Sequence, residues 1–160
     1  MRGLIIRTIV ERISPWLARA MCERSGAAAV EFAIVAPMLL LVLTGIVQFG
    51  LTFNNYIELT NAVRVGGRQF AISRSSSTPW STSKTALTSS AVNLDATKIT
   101  VTFKVNNTTC TSNSSCQTAL AAAPGGSASV SATYPCDLTI MGIDFHPSCT
   151  LSSQNTEYIE

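Results

Sequence analysis

Charge is scarce in this sequence. Charged residues make up 12% of the 160, and histidine occurs once, as His146. Acid/base or metal chemistry therefore has few side chains to draw on. Asp95, Asp137, Asp144, Glu157 and Glu160 are scattered among turn-like segments and form no constellation with a nucleophile or base. His146, next to Pro147, reads as structural. No CxxC spacing is present, which removes the commonest zinc arrangement, and Gly125-Gly126 is a lone turn, not a phosphate loop. Beyond residue 26 there is no basic cluster, so nucleic-acid binding lacks its electrostatic footprint. These absences predict a chain that is not an enzyme and takes no cofactor or metal.

What is present begins with one apolar stretch. Within residues 24–53, RSGAAAVEFAIVAPMLLLVLTGIVQFGLTF, a single carboxylate (Glu31) precedes an apolar run from Phe32 to Val47. A helix crosses the ~30 Å hydrocarbon core with roughly 20 such residues. Upstream, Arg2, Arg7, Arg12, Arg19 and Arg24 stand against Glu11 and Glu23, a net of +3. Residues 27–160 carry six basic and seven acidic groups, a net of −1. Basic residues just before a single span stay in the cytoplasm, which predicts a single-pass protein with its N-terminus inside and its C-terminus outside. Residues 3–20 have the apolar spacing of a short amphipathic helix and read as a dispensable leader; Met21 is an alternative start.

The cysteines fit that orientation. Cys22 lies before the span, and Cys110, Cys116, Cys136 and Cys149 lie after it. An even set in an exported segment predicts two disulfides in an oxidising compartment. Three pairings are possible; nearest-neighbour closure favours Cys110 with Cys116 and Cys136 with Cys149.

The stretch also resembles a known family. Gly26-Ala27-Ala28-Ala29-Val30-Glu31-Phe32 looks like a type IV prepilin cleavage motif. With Ala33 to Pro37, the aliphatic run, Gly45, Phe49-Gly50 and Asn61-Ala62-Val63-Arg64-Val65-Gly66-Gly67-Arg68, it is similar to the TadE-like minor pilins, or pseudopilins, of tight-adherence (Flp-type) pili. The resemblance covers roughly residues 24–72. It implies that a prepilin peptidase cuts after Gly26 and leaves Ala27 as the new N-terminus. It also implies that Glu31, with Phe32 and Pro37 in the assembly helix, pairs with the amine of a neighbouring pilin subunit. Together with the charge asymmetry, the resemblance implies a bacterial inner-membrane protein with a periplasmic C-terminus. The implied partners are that peptidase, other pilin subunits, inner-membrane assembly proteins and membrane lipid, with no nucleic acid. An uncleaved single-pass protein with an outer binding domain is the alternative.

Past Gly50 the helix is expected to continue, with Phe49, Phe53, Tyr56, Ile57, Thr60, Val63, Gly67 and Phe70 on its packed face, weakened at Gly66-Gly67 and ended by Ser73 to Ser77. Residues 73–90 read as a Ser/Thr-rich loop, with Trp80 either a core contact or an exposed adhesive aromatic. Alternation predicts strands at Lys98 to Val105, Ala128 to Tyr134 and Leu138 to Ile143, with a short helix at CQTALAAA. The expected fold is α+β: a long N-terminal transmembrane and amphipathic helix, then a small antiparallel sheet domain with disulfides. Its segments are a basic leader (1–26), the helix (27–72), a connection (73–97) and a β-rich extracytoplasmic domain (98–160).

Overall fold

The structure is a computed structural model that describes residues 25–136, 138–140, 142–144 and 146–160. The leader, its amphipathic pattern and Cys22 lie outside those residues. Two compact units result, Met1–Thr44 and Gly45–Glu160. The first helix, α1, runs over Ser25–Ala71 and includes Pro37. Its apolar stretch has a mean hydropathy of 2.4 with none of it buried.

In the second unit α1 supplies the floor of the core. Leu59, Ala62, Val63, Gly66, Gly67, Phe70 and Ala71 are buried, a three-and-four spacing that keeps one stripe of the helix against its neighbours. The packed face differs from the expected one at its start. Phe49, Phe53, Tyr56 and Ile57 are exposed, between 43% and 63%, because the buried stripe of the helix begins only at Leu59. The helix tightens into a 3-10 turn at Ile72–Ser75, where Ser73 Oγ donates to the Gln69 carbonyl.

The Ser/Thr-rich stretch is not a loop. It forms α2, Pro79–Ser90, with proline in the first turn, where its missing N–H costs nothing. Pro79, Ser83 and Leu87, four residues apart, are the buried stripe. Thr88 Oγ1 donates to the Lys84 carbonyl at 3.0 Å and Ser90 Oγ to the Ala86 carbonyl at 2.7 Å. The hydroxyls thus bond within the helix rather than unwinding it. Trp80 is half-buried against the core, with Lys84 Nζ 4.9 Å from its ring centroid.

The sheet follows. Strand β1 (Thr100–Val105) turns through Asn106 and Asn107, both at positive φ (45° and 73°), into β2 (Thr108–Cys110). A two-residue hairpin with both central residues left-handed matches the twist of its strands. Helix α3 (Asn113–Ala121) is capped by Ser112, which exchanges bonds with Ser115 in a capping box. Then come β3 (Ser127–Pro135), the small hairpin β4 (Thr139–Ile140) and β5 (Ile143–Asp144), and β6 (Thr150–Tyr158). All pairings are antiparallel; the main sheet has the order β2-β1-β3-β6 and β4-β5 stands apart.

Ile99, Phe103 and Val105 of the first strand region and Ala128, Val130 and Ala132 of β3 face the core, as alternation predicts. Phe70 and Phe103 join helix to sheet, their centroids 4.9 Å apart and planes tilted by 51°; such a pair adds about 0.5–1.5 kcal/mol beyond its buried area. The expected strand at Leu138 to Ile143 is instead the β4-β5 hairpin, and β2 and β6 were not expected at all. Strand β6 is hidden by its composition: its inward positions include the polar Ser153, which is buried, and Asn155, which lies against Gly67 of the helix.

Candidate functional site

Gly26 and Ala27 lie in the first turn of α1, and Ala27 to Val30 are exposed. The first four N–H groups of a helix have no partner within it. The Gly26–Ala27 peptide is therefore in the turn least held by backbone bonds, and glycine adds no side chain at the junction. Opening this turn into the extended form that a protease cleft takes breaks few hydrogen bonds.

Glu31 follows Ala27 by four residues, one helical turn of about 6 Å along the axis. It is exposed and makes no hydrogen bond or ion pair with any described residue. Phe32 is 69% exposed, and Pro37 sits in a helix that runs through without a break. Proline has no N–H, so the carbonyl one turn earlier, on Ala33, is left without its usual donor. Thr44, Thr52 and Thr60 donate to carbonyls of Leu40, Gln48 and Tyr56 at 2.8, 3.0 and 2.8 Å. These threonine hydroxyls thus bond within the helix rather than standing free on its surface.

The four late cysteines form the two expected disulfides. Cys110, ending β2, bonds Cys116 in α3 with Cα atoms 5.1 Å apart, and both are buried. Cys136 bonds Cys149 at a Cα separation of 5.2 Å. Cys136 N donates to the Cys149 carbonyl at 3.1 Å, which extends the β3-β6 ladder by one step. The loop so closed carries the β4-β5 hairpin. His146 belongs to its closing turn: its N–H donates to Asp144 Oδ1 at 3.0 Å, and its carbonyl accepts from Cys149 N at 2.9 Å.

Two packing roles go beyond the local pattern. Glu58 accepts from Asn93 N at 2.5 Å and Asn93 Nδ2 at 3.0 Å, clasping the turn after α2. Gly66 and Gly67, expected to weaken the helix, are its points of closest approach: a Cβ on Gly66 would meet Leu87 and one on Gly67 would meet Asn155. The signal for the glycines was their place on the buried stripe. Glu58 had none, since its partner is 35 residues away.

Among the described residues one helix is long and apolar enough to cross a membrane, it is uncovered along its apolar window, and a small disulfide-stapled α+β body follows it, an arrangement consistent with a membrane-anchored protein. Residues 26–68 match the model of the TadE-like protein family. Over that segment the chain is similar to the family. No curated protein and no solved structure matches the chain.

Proposed function

We propose that the chain is a minor pilin, or pseudopilin, of a tight-adherence pilus, cut after Gly26 by a prepilin peptidase and assembled with other pilin subunits through its apolar helix, supporting pilus biogenesis and adhesion. The observation that carries this reading is the exposed Glu31, without a partner among the described residues, one turn past the Gly26–Ala27 peptide and inside the TadE-like segment. A carboxylate at the edge of an apolar span calls for a counter-charge, and the cut creates one, the amine of Ala27. That amine lies one turn from the same chain's Glu31, so packing of subunits decides which carboxylate it meets.

In this reading residues 1–26 form a cytoplasmic leader, 27–72 the anchoring and assembly helix, 73–97 a connection and 98–160 the periplasmic domain. The subunit waits in the inner membrane with its N-terminus inside, held by lipid and by pilus assembly proteins.

Intact-mass measurement of the exported protein tests the proposal. A chain beginning at Ala27 is expected. Retention of residues 24–26 would overturn it in favour of an uncleaved anchor that displays a binding domain.

A further inference from the structure

The β4-β5 hairpin has two unlike faces. Ile140 pairs with Ile143 and Thr139 with Asp144, and directly opposed residues point to the same side of a sheet. One face is therefore isoleucine and the other polar. Ile140 is half-buried, with its Cδ1 4.0 Å from the Cβ position of Gly45, while Ile143 is 63% exposed. The helix beside that contact is also apolar and bare: Ile46, Val47, Phe49 and Leu51 are 53–64% exposed. Together they make one apolar surface drawn from two distant parts of the chain.

The length of the apolar run says what covers it. Twenty residues counted from Phe32 end at Leu51, so Gly45 lies six residues, roughly 9 Å, inside the far end of a bilayer-spanning stretch. A hairpin held against Gly45 is held at the depth of acyl chains. The loop from Cys136 to Cys149 contains no lysine or arginine, so its attraction is to hydrocarbon rather than to anionic headgroups. Its disulfide limits how far the hairpin can draw back.

We infer that the β4-β5 hairpin is a lipid-dipping element, which buries Ile143 in the outer part of the bilayer beside the helix that anchors the chain. This rests on the membrane-anchored reading of α1. In the membrane the hairpin braces the periplasmic body against its own anchor.

The full chain reconstituted in phosphatidylcholine vesicles provides the test. Tryptophan is introduced separately by Leu41→Trp, Ile143→Trp and Val92→Trp, and the signal of Trp16 and Trp80 in the parent chain is subtracted. Spin-labelled lipid quenches tryptophan in the bilayer, and acrylamide quenches it in water. Val92, 81% exposed, is the aqueous reference. Quenching of both the Leu41→Trp and Ile143→Trp signals by the labelled lipid, several-fold above that of Val92→Trp, supports the inference. If Leu41→Trp is quenched by lipid while Ile143→Trp follows Val92→Trp, the anchor stands and the inference fails. If Ile143→Trp is shielded from both quenchers, protein and not lipid covers it, and the inference again fails. Absence of lipid quenching at Leu41→Trp overturns the anchor reading and the inference with it.

Discussion

A Cβ built on Gly66 would stand 2.8 Å from the Cβ of Leu87, where α1 and α2 touch. The distance is between atoms fixed to two backbones, so no rotamer change relieves it. An alanine in a helix interior is otherwise favoured over glycine by up to about 1 kcal/mol, whereas overpacking costs about 1–3 kcal/mol. Gly66→Ala should therefore destabilise the fold by about 1 kcal/mol or more, read as a lowered denaturant midpoint. Gly67→Ala meets Asn155 Nδ2, the end of a flexible side chain, and should be close to neutral. In a double-mutant cycle Leu87→Ala should relieve Gly66→Ala only in part, because it removes Cγ and Cδ1 and leaves Cβ.

Glu58 ties α1 to the turn at Asn93 by two hydrogen bonds. Replacing it with alanine leaves a backbone N–H without its protein partner at the cost of about 1 kcal/mol. Glu58→Gln keeps a carbonyl acceptor and should lose less. Hydrogen exchange at Asn93 N should quicken in Glu58→Ala and stay nearer the parent rate in Glu58→Gln.

The two disulfides differ in access. Cys110 and Cys116 are buried at 4% and 0%, while Cys136 and Cys149 are half-buried. Reductant reaches exposed sulfur first. Stepwise reduction with thiol alkylation, followed by mass, should label Cys136 and Cys149 before Cys110 and Cys116. Loops of these lengths are stabilised by about 2–3 kcal/mol when closed, so replacing either pair with alanines should lower the unfolding midpoint measurably.

Asp95 holds the turn before β1. Thr97 Oγ1 and Thr97 N donate to its Oδ1 at 2.6 and 3.0 Å. The hydroxyl bond first, then the N–H and the nearby Lys98 charge, keep its carboxyl below the ordinary 3.8. A carboxyl lowered in the folded state stabilises that state above 3.8 and loses the contribution as pH falls through its folded value. The Thr97 amide should shift with pH below 3.8, and Asp95→Asn should abolish that titration.

For Glu31 the expected effect is on assembly. Glu31→Ala should reduce the amount of this chain in sheared pili while leaving its level in the membrane fraction unchanged. Glu31→Gln, which keeps the shape and loses the charge, should behave like Glu31→Ala. Normal pili from both would argue against charge pairing.

Much of this was legible from local pattern. Strand β1 showed itself because Val101, Phe103 and Val105 alternate with Thr and Lys, and β3 because Ala128, Val130 and Ala132 do the same with Ser. Helix α2 was missed because its buried stripe is Pro79, Ser83 and Leu87, only one of which is a large apolar residue. Strand β6 was missed for a related reason: polar Ser153 and Asn155 occupy its inward positions, so no apolar alternation marks it. In the candidate site, Gly26, Ala27, Glu31 and Pro37 are proposed from their spacing along one helix, which the sequence displays directly. The exposure of Glu31 and the contact of Ile140 with Gly45 could not be read there.

The sequence by itself determined the apolar helix and the one carboxylate at its edge, and favoured the two disulfide pairs that the structure then fixed, since hydropathy, charge and short loop closure act between residues close in the chain. Tertiary structure alone decided which glycines are contact points, where Glu58 finds its partner and what lies beside Gly45. Those outcomes depend on residues from 21 to 95 positions apart, whose approach is set by packing of the whole second unit.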